Sequence, residues 1–178
     1  MKNLFYSLLF LALVSCGGGT GRVPANQLAG NDFESVDGWS GEAKPASLTK
    51  EKSHSGHYSV KVGPGVDFSM GYNNLLSLIS GTRLKKIKVH AWVWLPGRSA
   101  AVTLVTQITD PAAGNKAIMW QGLDLANKVK SFGKWVEIDQ EYAIPVEAAA
   151  SHRLYCYLWR GSSPNTVYMD DIQILNAE

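Results

Sequence analysis

The sequence is poor in cysteine, in charge and in long hydrophobic runs. Only Cys16 and Cys156 occur among its 178 residues, too few for a disulfide framework or a thiolate zinc cage. Cys156 lies between Leu154 and Leu158 at alternating spacing, so it reads as a small buried apolar side chain. Charged residues make up 18%, with 17 basic against 15 acidic side chains, and no basic run exceeds Lys85-Lys86. Nothing in that balance points to nucleic acid. No glycine-rich phosphate loop joins a strand to a helix, and no serine nucleophile elbow is present. The longest apolar run, Leu4 to Val14, is broken only by Ser7. At roughly eleven residues it is too short for a helix spanning a ~30 Å hydrocarbon core. With Lys2 before it and small residues after it, the run reads as a signal peptide.

Leu13-Val14-Ser15-Cys16 resembles the lipobox of bacterial lipoproteins. The resemblance implies cleavage before Cys16, a diacylglyceryl group on its thiol and attachment to a membrane through that lipid. The residue after the cysteine, Gly17, is not the aspartate that signals inner-membrane retention, which implies the outer membrane of a bacterial cell envelope. The chain then divides into a signal peptide (1–15), a lipidated cysteine with a Gly-rich flexible tether (16–30) and one folded domain (31–178). Loss of 1–15 removes one lysine, leaving 16 basic and 15 acidic side chains and a formal charge of +1.

What is abundant is alternation. From Asn31 onward, short period-two runs are separated by Gly, Pro, Asn and Asp clusters. Strands are predicted over 32–34, 47–52, 57–62, 68–76, 84–95, 100–109, 116–125, 135–143, 152–160 and 166–175, with single helical turns at 75–79 and 146–150. The fold class is all-β, a two-sheet antiparallel β-sandwich.

Four segments in order resemble galactose-binding-like jelly rolls: Asn31-Asp32-Phe33-Glu34 with Gly38-Trp39, Ser53-His54-Ser55-Gly56-His57-Tyr58, Gly133-Lys134-Trp135-Val136-Glu137, and Val167-Tyr168-Met169-Asp170-Asp171-Ile172. That group includes carbohydrate-binding modules of the xylan- and glucan-binding type. It implies jelly-roll topology, a polysaccharide or oligosaccharide partner lying on a concave sheet, and a structural calcium held by Glu34, Ser53, Gly56 and Asp170 or Asp171. Alternation places Asp170 inward with Ile172 and Ile174. His54 and His57 read as a solvated loop pair, and Trp39 and Trp135 as packing residues.

Candidate ligand-binding residues follow from strands that are apolar or aromatic on both faces. Val89, Ala91, Val93 and Leu95 oppose His90, Trp92 and Trp94; Leu154, Cys156 and Leu158 oppose Arg153, Tyr155, Tyr157 and Trp159; Val102, Leu104 and Ile108 oppose Thr103, Val105 and Gln107. The aliphatic sets should form the core. The aromatic and polar sets, with Trp120, then form one outward face suited to stacking sugar rings and bonding their hydroxyls. Glu137, Asp139 and Glu141 are expected on the opposite, solvated convex sheet. Two other uses of the aromatic face stay open: packing beneath the 96–99 or 110–116 loops, as in a structural or protein-interaction lipoprotein, and a polysaccharide lyase using His90, Arg153, Tyr155 and Gln107.

Overall fold

The computed structural model describes residues 23–36 and 45–178. The signal segment, Cys16, the first part of the tether (16–22), Gly38 and Trp39 lie outside them. The described chain forms ten strands: β1 (Gln27–Asn31), β2 (Leu48–Thr49), β3 (Ser59–Val62), β4 (Tyr72–Leu75), β5 (Lys86–Trp94), β6 (Thr103–Asp110), β7 (Lys116–Asp124), β8 (Trp135–Ala143), β9 (Arg153–Trp159) and β10 (Val167–Asn176). One antiparallel sheet runs β2-β3-β10-β5-β8 with β1 added along β10; the other runs β4-β9-β6-β7. The two-sheet sandwich read from the alternation is the observed architecture.

The core is built from the predicted aliphatic sets. Val89, Ala91 and Val93 of one sheet and Leu104, Ile108, Leu154, Cys156 and Leu158 of the other are at most 1% exposed. Each such Val or Leu contributes on the order of 1.5–3 kcal/mol on leaving water. The inner faces therefore fix the strand parity, and every alternate side chain on β5, β6 and β9 points away from the core.

Local structure departs from the sequence reading at four places. β1 lies inside the segment read as tether, because pairing with β10 through Gln27↔Leu175 to Asn31↔Ile172 overrides its weak strand-forming residues. The strand predicted at 32–34 is a turn, since Asn31 Oδ1 accepts from the Phe33 N–H at 2.7 Å and Asp32 Oδ1 from the Glu34 N–H at 3.1 Å. α1 (Leu76–Ile79) forms as predicted, but the turn read at 146–150 is not helical, and α2 (Leu125–Lys128) replaces the end of a predicted strand. Asp124 starts α2 by accepting the Asn127 N–H at 3.2 Å, a cap legible in principle from the sequence.

Candidate functional site

The residues predicted to share one outward face are divided between two sheets. His90, Trp92 and Trp94 lie on β5 in the six-stranded sheet, whereas Gln107, Trp120, Arg153, Tyr155, Tyr157 and Trp159 lie on β6, β7 and β9 in the four-stranded one. Both sets point away from the core, hence in opposite directions. Alternation tells which side of a strand faces the core; it does not tell which sheet the strand joins. The acids expected on the far sheet are in fact cross-strand partners of β5, with Asp139 opposite His90 and Glu137 opposite Trp92. Among the described residues His90, Glu137 and Asp139 bring ligand atoms within 4.8 Å of one another, yet Lys88 Nζ lies 3.5 Å from Asp139 Oδ1, so the group reads as an ion-pair ladder.

The turn between β2 and β3 covers the β5 aromatics. His54, read as solvated, stacks on Trp92 with ring centroids 3.8 Å apart and 10° between planes, and meets Trp135 edge-on at 5.9 Å. The Lys52 ammonium sits 4.3 Å above the Trp94 ring, with Tyr168 against that ring's edge. His57, by contrast, is solvated, its side chain 84% exposed. On this sheet the rings are roofed by protein.

The outer face of the four-stranded sheet carries the exposed rings. Tyr155, Tyr157 and Trp159 alternate along β9, and the register sets Gln107 beside Tyr155, Val105 beside Tyr157 and Thr103 beside Trp159. Phe68 bridges to Trp159 and meets Tyr157 edge-on at 6.0 Å. Phe68 is 58% exposed, Trp120 50% and Trp159 38%. A Cβ on Gly122 would lie 2.6 Å from Trp120 Cη2, so that glycine leaves room for the indole to lie along the sheet. Gly71 instead lets the β9 backbone approach, since an added Cβ would collide with the Cys156 carbonyl oxygen and lie 2.6 Å from the Tyr157 Cβ. An open groove of about 260 Å³ runs between Phe68, Gly71, Asn73, Tyr155 and Tyr157. At its end Arg153 Nη1 donates to Asn73 Oδ1 at 2.7 Å.

Alternation alone does not place Phe68 in this row. Between the Phe68↔Trp159 and Tyr72↔Cys156 pairs, one strand advances four residues and the other three. The extra residue reverses the phase, turning Phe68 outward while Tyr72 packs against the core. No strict alternation would place those two rings on different faces.

A second bulge governs the carboxylates assigned to calcium. Asp170 pairs with Trp92 and Gln173 with His90, so β10 advances three residues against two. Asp170 therefore lies on the outer side of the sheet with Trp92, not inward with Ile172, and is fully buried because the 53–56 turn covers it. Its Oδ2 accepts the His54 N–H at 2.7 Å and the Ser55 N–H at 3.2 Å, and its Oδ1 accepts the Asp171 N–H at 2.8 Å. Burial, with the Asp171 charge adding to it, pushes its carboxyl up to about 6. Asp171 bonds His54 Nδ1 at 2.6 Å and the Ser55 hydroxyl at 2.7 Å. Glu34 Oε1 accepts from the N–H groups of His57 and Tyr58 at 2.7 and 2.6 Å. Burial raises the Glu34 carboxyl, but those N–H bonds outweigh it and hold the group below the usual range.

As arranged, these residues do not fit calcium. A hard cation needs converging free oxygens, whereas Glu34 Oε1 and Asp170 Oδ2 each already take two N–H donors and the Ser53 hydroxyl is turned to the Gly56 carbonyl at 3.2 Å. The N–H dipoles do the work of a cation. Exhaustive chelation is expected to leave Tm within about 1 °C of its starting value, and a fall of about 5 °C or more would reinstate a bound ion.

Over residues 25–166 the sequence matches the carbohydrate binding domain family. The chain belongs to it. No curated protein sequence matches it. Among solved structures, this carbohydrate-binding domain is similar to the C-terminal family 22 carbohydrate binding module of Clostridium thermocellum Xyn10B, at 16% identity and a TM-score of 0.50, covering 87% of this chain and 97% of that one. It is also similar to the second family 22 module of Paenibacillus barcinonensis Xyn10C, at 16% identity and a TM-score of 0.50, covering 84% and 99%. A family 16 carbohydrate binding module matches at 17% identity and a TM-score of 0.51, covering 79% and 92%. At these identities the likeness extends to the β-sandwich fold.

Proposed function

We infer that this carbohydrate-binding domain holds a glycan chain, without cleaving it, on the outer face of the four-stranded sheet. One observation carries the reading. Phe68, Trp120 and Trp159 are exposed there, while the Trp92 and Trp94 rings of the opposite sheet lie under a turn. A pyranose presents C–H faces that stack on such rings, and its hydroxyls need fixed partners, which Gln107 and Asn73 supply between them. Binding without cleavage is supported by the chemistry of the face. Asp124, at the Thr103 end of the face, is engaged by Asn127 at 2.7 Å, and burial pushes the thiol of Cys156, on the core side of β9, up to about 12. The lyase constellation is split, since His90 points away from Arg153, Tyr155 and Gln107.

Xylan is the first polymer to try, because the Paenibacillus barcinonensis module is a xylan-binding domain. Affinity electrophoresis through gels containing xylans and β-glucans is expected to retard the protein on at least one. Free migration on every glycan would favour a structural or protein-interaction role. Lipid attachment at Cys16 and an outer-membrane location belong to the same proposal and rest on the lipobox and the Gly17–Gly21 tether. Metabolic labelling with a fatty-acid analogue should mark the wild-type chain and not Cys16→Ala.

A further inference from the structure

We propose that the glycan is acidic, and that Arg153 reads carboxylates carried on uronic acid residues. The inference rests on the binding face assigned above and names the class of sugar that it takes. Arg153 projects from β9 on that face, one outward position from Tyr155, and is half-buried. Its guanidinium is fixed by Asn73, which the register sets beside Tyr155. Asn73 uses one of five N–H donors. Among the described residues no carboxylate lies within ion-pair distance of Arg153. Just past the other end of β9, Arg160 Nε is matched by Asp67 Oδ1 at 2.7 Å. Asp110, next to the Thr109 that pairs with Arg153, is committed elsewhere: its Oδ1 accepts the Ala112 N–H at 2.9 Å, and its other oxygen is 3.9 Å from His152.

A planar guanidinium, held by a residue that lines the groove and with its charge unmatched, suits a two-pronged bond to a carboxylate. A neutral hydroxyl would use the donors and leave the charge uncompensated. The aromatic row would then set where the chain lies, and Arg153 would select which substituents it carries.

The test compares a xylan bearing glucuronic acid side chains with the same polymer after chemical reduction of its carboxyl groups. Binding to the native polymer is expected to be about tenfold tighter, as for a charge-assisted bond, and that ratio should fall as salt rises. In Arg153→Gln the ratio is expected to drop to about one, and in Arg153→Lys, which keeps the charge without the fork, to lie between. Equal affinity of the wild-type protein for both polymers would overturn the acidic-glycan inference alone, as would an undiminished ratio in a folded Arg153→Gln. Binding of neither polymer by a protein that the gels show to bind a neutral glycan would also overturn the acidic-glycan inference alone, whereas binding of no glycan at all would overturn the glycan face and the inference with it.

Discussion

Replacing Asp170 with alanine is expected to destabilise the domain by about 3 kcal/mol at pH 8, and by more in acid. The reason is the number of donors that one carboxylate serves. His54, Ser55 and Asp171 each give it a backbone N–H in a site with no solvent access. Alanine leaves all three without an acceptor, and each stranded donor costs about 1–3 kcal/mol, less whatever water recovers once the turn loosens. The pH dependence has a definite sign. A carboxyl raised from 3.8 to about 6 binds its proton more tightly in the folded state. Its contribution is therefore full below the ordinary value and is lost as pH climbs through about 6, a span worth roughly 3 kcal/mol. The gap between wild type and Asp170→Ala should widen by up to that amount between pH 8 and pH 4. Denaturant unfolding at the two pH values checks it. A penalty below about 1 kcal/mol, or a gap that narrows in acid, would mean that the turn does not depend on this group.

Trp159→Ala is expected to weaken glycan binding about thirtyfold, and Phe68→Ala about tenfold, with the fold retained. Phe68 is largely and Trp159 partly solvent-exposed, and neither belongs to the core, so their removal takes little from it while deleting the stacking platform. Trp92→Ala should do the reverse. Its ring is stacked beneath His54 on the other sheet, so stability should fall by about 2 kcal/mol while glycan affinity stays within about twofold of wild type. The three variants form a contrast that separates the two aromatic sets. Isothermal titration with a binding polymer, alongside thermal melts, measures both properties. If Trp92→Ala abolished binding and Trp159→Ala did not, the site would belong to the six-stranded sheet.

The two aromatic sets are indistinguishable by sequence pattern. In each, rings alternate with aliphatic residues along a strand, and both correctly point away from the core. What separates them is whether another part of the chain lies above. The β2–β3 turn does so for Trp92 because Asp170 and Asp171 hold its N–H groups and its hydroxyl, more than a hundred residues away in sequence. Loops at 96–99 and 110–116 are the covers that the sequence leaves open as an alternative, yet the turn at 50–58 roofs the rings, and it roofs only one sheet. Bulges account for the other discrepancies. One added residue in a strand exchanges its faces, which moved Phe68 into the binding row and Asp170 from the core side to the covered outer side.

The sequence by itself determined the export and lipidation expectations, the all-β class, nearly every strand, and the aliphatic half of each core strand. These are local properties: residue type, period two and turn chemistry act over a few positions. Only the tertiary structure decided which outward rings meet solvent, which carboxylates accept several N–H groups and that the arginine on the binding face stands without a counter-charge. Those depend on strand order, on bulges and on a distant turn folding over one sheet, because exposure and electrostatic balance are set by neighbours in space.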